Sequence, residues 1–189
     1  MKGIGAGRVT TEYARKYERV ERERRFLLRE LPPGLKLTGE HAQITDNYIT
    51  GTRLRLRKSR WPATNELTLK LTQKYTPRPP DFSRTLITSI YLDAREYETL
   101  SIFEGNELRK NRYPYDHEGR RYSVDVFLGD LRGLILAETD FELDDEMDMF
   151  ALPPFAQCDV TENENFTGAR LSLSSFDDLR AEIERAAHS

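Results

Sequence analysis

Within Thr52-Arg53-Leu54-Arg55-Leu56-Arg57-Lys58, arginine alternates with leucine without a slip. A period of two is the strand signal, because successive side chains point to opposite faces. Arg53, Arg55 and Arg57 therefore share one face, and Leu54 and Leu56 the other. The same style recurs along the chain. Val20 to Leu28, Leu67 to Lys74, Arg84 to Leu92, Arg109 to Tyr115, Arg121 to Leu128 and Leu134 to Leu143 all read as strands, and Val160-Thr161 as a short further piece. Helices are fewer. Asp93 and Glu96 have the form of a capping box ahead of a helix to about Phe103. Asp144 is placed to cap a short helix over Asp145 to Phe150. Ser174 to His188 has Phe176, Leu179 and Ile183 at helical spacing. Many strands with few helices predict a mainly β (α+β) fold, an antiparallel sheet that is closed or nearly closed.

The charges are segregated by strand. Glu21, Glu23 and Arg25 share a face. Lys70 opposes Leu69 and Leu71. Lys110 pairs with Arg112, and Glu138 with Asp140, at i and i+2. Asp125 lies between Val124 and Val126. Taken strand by strand, such faces are ordinarily solvated. Taken together they are not. Three arginines roughly 7 Å apart along one face repel each other unless anions lie between them. A curled sheet with a charged concave face, its convex face packed by Leu, Ile and Val, accommodates the pattern. Clustered Arg and Lys recognise phosphate oxygens. Clustered carboxylates supply hard oxygen ligands for Mg²⁺ or Mn²⁺. Both in one cavity suit a metal–polyphosphate ligand.

The whole composition bounds the rest. The 189 residues carry 29 Lys plus Arg against 32 Asp plus Glu, a net charge of -3. A global basic footprint is absent, so nucleic acid is not an expected partner. No apolar run approaches the ~20 residues of a membrane span, and the first residues lack the apolar stretch of a secretory signal. The single cysteine, Cys158, excludes a disulfide framework within one chain. A cytoplasmic setting is the expectation. Residues 1–14, rich in Gly and small residues, read as a flexible start, and 15–189 as one unit including the C-terminal helix. That helix is read as a cover or a homodimer element. Leu31-Pro32-Pro33-Gly34, the cluster from Thr76 to Pro80 and Leu152-Pro153-Pro154 are punctuation within the unit. His41, His117 and His188 are scattered and carry no site. Cys158 reads as a packed residue and Trp61 as part of a surface loop. No P-loop occurs.

In this light Glu21-Arg22-Glu23-Arg24-Arg25-Phe26-Leu27 resembles the ExExK signature of the CYTH superfamily, the triphosphate tunnel metalloenzymes. The likeness continues in order. Gly51 to Lys58 is similar to the RxR strand, Leu67 to Lys70 to the TLK strand, and Leu108 to Tyr113 to the KxRY strand. Val124 to Leu131 is similar to DVF-G-L, Leu136 to Phe141 to AEVEF, and Asp159 to Thr161 to EVT. The resemblance implies a closed eight-stranded antiparallel tunnel with a few covering helices. It implies Mg²⁺- or Mn²⁺-dependent hydrolysis of a triphosphate-bearing small molecule, with inorganic triphosphate or short polyphosphate foremost. A polyphosphate- or nucleotide-binding module with weakened turnover is the alternative, and an adenylyl cyclase ranks lowest.

By the same resemblance Glu21, Glu23, Glu138, Asp140 and Asp125 would hold metal. Arg25, Arg53, Arg55, Arg57, Lys70, Arg84, Lys110 and Arg112 would hold phosphates. Glu21, Glu23 and Arg25 are the expected catalytic group. Arg53-x-Arg55 and Arg55-x-Arg57 fit the RxR pattern nearly equally. Three departures stand out. Arg25 replaces the usual lysine and cannot readily act as a base. Asp140 shortens its ligand by one methylene. Arg84-Thr85-Leu86-Ile87-Thr88-Ser89 lacks both carboxylates of the family's RxExE strand. The expectation is a chain that binds one metal well, or none without substrate.

Overall fold

The computed structural model describes residues 17–77 and 81–186. The expectations for residues 1–14, for Pro79 and Pro80, and for His188 lie outside them.

Nine strands carry the fold: β1 (Arg19–Leu27), β2 (Ala42–Ile49), β3 (Leu54–Trp61), β4 (Glu66–Tyr75), β5 (Arg84–Tyr91), β6 (Gly105–His117), β7 (Arg120–Phe127), β8 (Ile135–Phe141) and the two-residue β9 (Cys158–Asp159). Eight of them close into an antiparallel barrel in the order β1-β5-β4-β3-β2-β6-β7-β8, and β8 returns to β1. The closure divides β1. Arg19 to Arg22 pair with Ile87 to Arg84, while Arg22 to Leu27 pair with Phe141 to Leu136. Where β5 leaves off, β9 takes the edge of β1 opposite Phe26 and Leu27. β1 thus joins β5, β8 and β9 in turn, and its pairing with both β5 and β8 closes the barrel.

β2 is a strand that the sequence reading leaves unassigned. Its Thr45-Asp46-Asn47 centre carries turn residues, yet it pairs with β3 on one side and β6 on the other. Tertiary pairing overrides a weak local preference here. Trp61 also differs from the loop expected of it and ends β3 opposite Glu66.

Helices are short: α1 (Ala94–Leu100), α2 (Asp144–Asp148), α3 (Gly168–Leu171) and α4 (Phe176–Ala186). At α1 the capping box is present in full. Asp93 Oδ1 accepts from the Glu96 amide at 2.8 Å, and Glu96 Oε2 accepts from the Asp93 amide at 2.9 Å. At α2 the cap expectation fails. Asp144 is the first helical residue, and its carboxylate is held by Arg22 and Arg84 instead.

The core divides in two. Phe26, Leu28, Tyr113, Tyr122, Val124 and Ala137 pack on the outer face of the wall, beneath Phe150 and Phe155. The other cluster joins Leu27, Leu108, Phe127 and Leu136 to Phe166, Leu171 and Leu179. Leu27, Leu108, Phe127 and Leu136 each stand two residues from Arg25, Lys110, Asp125 and Glu138, and so share their faces. One end of the barrel interior is therefore apolar, and the segment running through α3 and α4 packs into it. The expected division into charged concave and apolar convex faces holds only beyond that end.

Candidate active site

The charged part of the interior forms a cavity of about 540 Å³. β1 contributes Glu21, Glu23 and Arg25, all on one face because the strand alternates. β3 contributes Arg55 and Arg57, with Arg53 at the rim. β6 contributes Lys110 and Arg112, and β8 contributes Glu138. The Arg25, Arg53, Arg55, Arg57, Lys110, Arg112, Glu21, Glu23 and Glu138 expected from the sequence are thus brought into one chamber, and Arg53, Arg55 and Arg57 all reach it.

Barrel register sets each cation against an acid. Asp46 stands opposite Arg57, Asp125 opposite Arg112, and Glu138 opposite Arg25. Arg57 donates from Nε and Nη2 to both oxygens of the fully buried Asp46, at 2.6 and 2.7 Å. Arg55 Nε approaches Asp46 only to 3.6 Å and has no hydrogen-bond partner, although buried. Arg112 donates to both Asp125 oxygens at 2.7 and 2.6 Å and reaches Glu138 as well. Lys110 also pairs with Asp125. Arg25 bridges Glu23 and Glu138, the latter at 3.1 Å. The repulsion along the arginine rows is relieved by carboxylates from neighbouring strands.

These pairs set the protonation states. Burial raises the Asp46 carboxyl, but the Arg57 and Arg55 guanidiniums outweigh it and bring it down to about 2. Burial likewise opposes charge on Glu138, yet Arg112, Lys110 and Arg25 hold it well below the usual carboxylate range. Glu21 also falls, as Lys74 overcomes desolvation. Glu23 goes the other way. Burial pushes it up, and Glu138 and Glu21 add to the push against Lys74 and Arg25. Lys110 is pushed down by burial despite Asp125.

Several expected site residues stand elsewhere. Arg84 faces outward, opposite in parity to the cavity-lining Thr85, and binds Asp144 at 2.8 Å and Asp148 at 2.7 Å on α2. Lys70 has the inward parity but sits 4.9 Å over the Tyr91 ring, clear of the cavity. Asp125 has both oxygens engaged by Lys110 and Arg112, so it orients those cations, and it does not line the charged cavity. Asp140 is exposed at a second cavity of about 360 Å³, which Glu138 also lines. Its carboxyl is raised by the partial desolvation of that cavity and by the charges of Glu21 and Glu138. His41 lies tilted against Tyr113 with ring centroids 5.0 Å apart, and His117 packs edge-on to Phe155; neither lines the charged cavity.

The sequence reading misses three participants. Asp46 is hidden with β2. Lys74 ends the alternation that begins at Lys70, and its ammonium binds Glu21. Tyr48 lines the cavity beside Gly168, whose α3 segment closes over the chamber. The inward parity extended past Lys70 by two turns of the alternation leads to Lys74, so that signal was present.

As metal donors, Glu21, Glu23 and Glu138 have the right chemistry. They are hard oxygen ligands facing one chamber, and their mutual repulsion at Glu23 is what a divalent cation relieves. Among the described residues, however, no group of three donors is gathered around one point. Each of these carboxylates is already paired with an internal cation.

No protein-family model matches the chain. An inorganic triphosphatase of Nitrosomonas europaea is 33% identical over 87 residues, which are 45% of this chain and 58% of that protein. An inorganic triphosphatase of Acetivibrio thermocellus is 30% identical over 104 residues, 49% of this chain and 65% of that protein. The matches thus span less than two thirds of either relative. A crystal structure of an inorganic triphosphatase superposes with a TM-score of 0.55 at 26% identity, covering 82% of this chain and 95% of that one. Over about half its length the chain is thus similar to inorganic triphosphatases, and across most of it the closed barrel shares the fold of a solved one.

Proposed function

We propose that the protein hydrolyses inorganic triphosphate or a short polyphosphate inside the barrel, with Mg²⁺ or Mn²⁺. One observation carries the reading. Cations outnumber acids around one chamber of the barrel, and one of them, Arg55, keeps a buried Nε without a hydrogen-bond partner. Such a donor costs stability unless an acceptor arrives. A phosphate oxygen is the acceptor that suits a guanidinium flanked by Arg53 and Arg57. The two inorganic triphosphatases to which the chain is similar support the same substrate class.

Most of the catalysis is positioning and charge neutralisation. Arg53 and Arg55 hold the distal phosphates. Lys110 and Arg112, fixed by Asp125, neutralise charge on the leaving group. Glu21, Glu23 and Glu138 would hold the metal, which neutralises phosphate charge when bound. Of these three carboxylates only Glu23 has its pKa raised, by burial and by Glu138, so it is the one whose charge a bound cation would stabilise most.

The test is phosphate release from inorganic triphosphate with Mg²⁺ and then Mn²⁺, in the wild type and in a Glu21→Gln, Glu23→Gln double variant. Metal-dependent release that falls at least about 100-fold in the variant supports the hydrolase. Release that is indifferent to the substitutions overturns it. A second reading has its own support. The inward positions of β5 are Thr85, Ile87 and Ser89, none of them an acid. A binding module without turnover would show triphosphate-induced stabilisation and no product.

A further inference from the structure

The barrel order places β5 between β1 and β4. Lys74 on β4 stands opposite Ile87 of β5, and Glu21 on β1 stands opposite Thr85 of β5. Neither β5 residue offers Lys74 a carboxylate. Its side chain instead spans β5 and binds Glu21 on the far side, at the same oxygen that Thr85 Oγ1 approaches to 3.4 Å. Both partners remain open to the chamber, with side-chain exposures of 33% for Lys74 and 24% for Glu21.

The other acids of the chamber are clasped more firmly. Arg25 bridges Glu23 and Glu138, and Arg112 bridges Glu138 and Asp125. Those guanidiniums are planar forks fixed at two points. Lys74 is a single ammonium on a flexible stem, paired with one carboxylate. It is therefore the clasp that yields most readily. A divalent ion at Glu21 would need the lone pairs that the ammonium now occupies, and two cations so close repel each other.

We infer that Lys74 is a tethered counter-ion that competes with divalent metal for Glu21, so that metal and ammonium exclude one another there. This rests on the reading that Glu21 belongs to the metal-holding set. When metal takes Glu21, the released ammonium is free to turn to a phosphate oxygen. Lys74 is thus a positioning residue that sets metal affinity and couples it to the anion.

The test uses Mn²⁺ alone, without phosphate, and follows free Mn²⁺ by electron paramagnetic resonance. Lys74→Met should bind Mn²⁺ at least about fivefold tighter than wild type, the lower end of ordinary couplings between two ligands. Adding Glu21→Gln should abolish the gain, and Lys74→Arg should show none. Circular dichroism checks the fold. If Lys74→Met does not fold, Lys74→Gln, whose amide can still donate to Glu21, serves in its place. Unchanged or weaker Mn²⁺ binding overturns the inference, as does a gain that survives Glu21→Gln. Phosphate release is measured separately. Turnover in the wild type with no gain in Lys74→Met sinks the inference alone. Tighter Mn²⁺ without turnover removes the hydrolase and leaves the exchange at Glu21 standing.

Discussion

Asp46 shows how one residue can hold a row of like charges together. Its carboxylate is fully buried, takes two hydrogen bonds from Arg57 and lies 3.6 Å from Arg55. Asp46→Asn keeps the shape and removes the charge, leaving two guanidiniums without their counter-ion. Breaking one side of a buried pair costs about 3–5 kcal/mol. The variant should melt well below the wild type, and an unchanged melting temperature would show that the pair is not what steadies β3. The same residue sets an acid limit. The carboxyl titrates at 3.8 without its partners and at about 2 in the fold. Its folded pKa is depressed, so its contribution is complete above about pH 4 and is lost as pH falls through 2. That contribution is about 2 kcal/mol. Acid unfolding of Asp46→Asn should therefore lack the part of the wild-type stability loss that falls between pH 4 and 2.

At the scale of elements, α3 is held by a close approach. A Cβ on Gly168 would stand 2.0 Å from Tyr48 Oη and 3.1 Å from its Cζ. Tyr48 is part of β2 and lines the chamber, so the glycine lets α3 seat directly on the wall. Gly168→Ala should push α3 outward, cost about 1–3 kcal/mol and open the chamber beside Leu173. Faster proteolysis within 164–173 would register the opening, and a variant as resistant as wild type would place the seat elsewhere. β2 also explains what the sequence left unread. Arg53-Leu54-Arg55-Leu56-Arg57 carries its own period, as do Glu21 to Arg25 and Glu138 to Asp140, so those faces were legible without neighbours. Ala42 to Ile49 alternates less cleanly, with Asp46-Asn47 at its centre, and becomes a strand only because β3 and β6 flank it. Its Asp46 was invisible for the same reason. Arg84 failed in the other direction. Its place in a motif suggested a chamber residue, but α2 presents Asp144 and Asp148 outside, and two carboxylates outweigh a pattern.

At the scale of the molecule, the barrel stores electrostatic work that an anion recovers. A chamber in which cations outnumber acids is stable without ligand because Asp46, Asp125, Glu23 and Glu138 interleave with them. Arg55, 3.6 Å from Asp46, keeps a buried Nε without a hydrogen-bond partner in that arrangement. A multivalent anion should therefore stabilise the fold through the arginines that the acids leave over. Tripolyphosphate at 100 times its dissociation constant adds about 2.7 kcal/mol by mass action. For a chain of this size that raises the melting temperature by about 5–10 °C. Arg55→Met separates this binding effect from general stability. It removes a buried guanidinium whose Nε has no partner, while Arg57 keeps its two bonds to Asp46, so the ligand-free protein should change by less than about 1 kcal/mol. The tripolyphosphate-induced rise should shrink by at least half. Sulfate, with less charge to place, should give a smaller rise in the wild type and be nearly indifferent to the substitution. A variant that loses stability without ligand yet keeps the full rise would make Arg55 a structural cation, and would move the anion's seat towards Lys110 and Arg112.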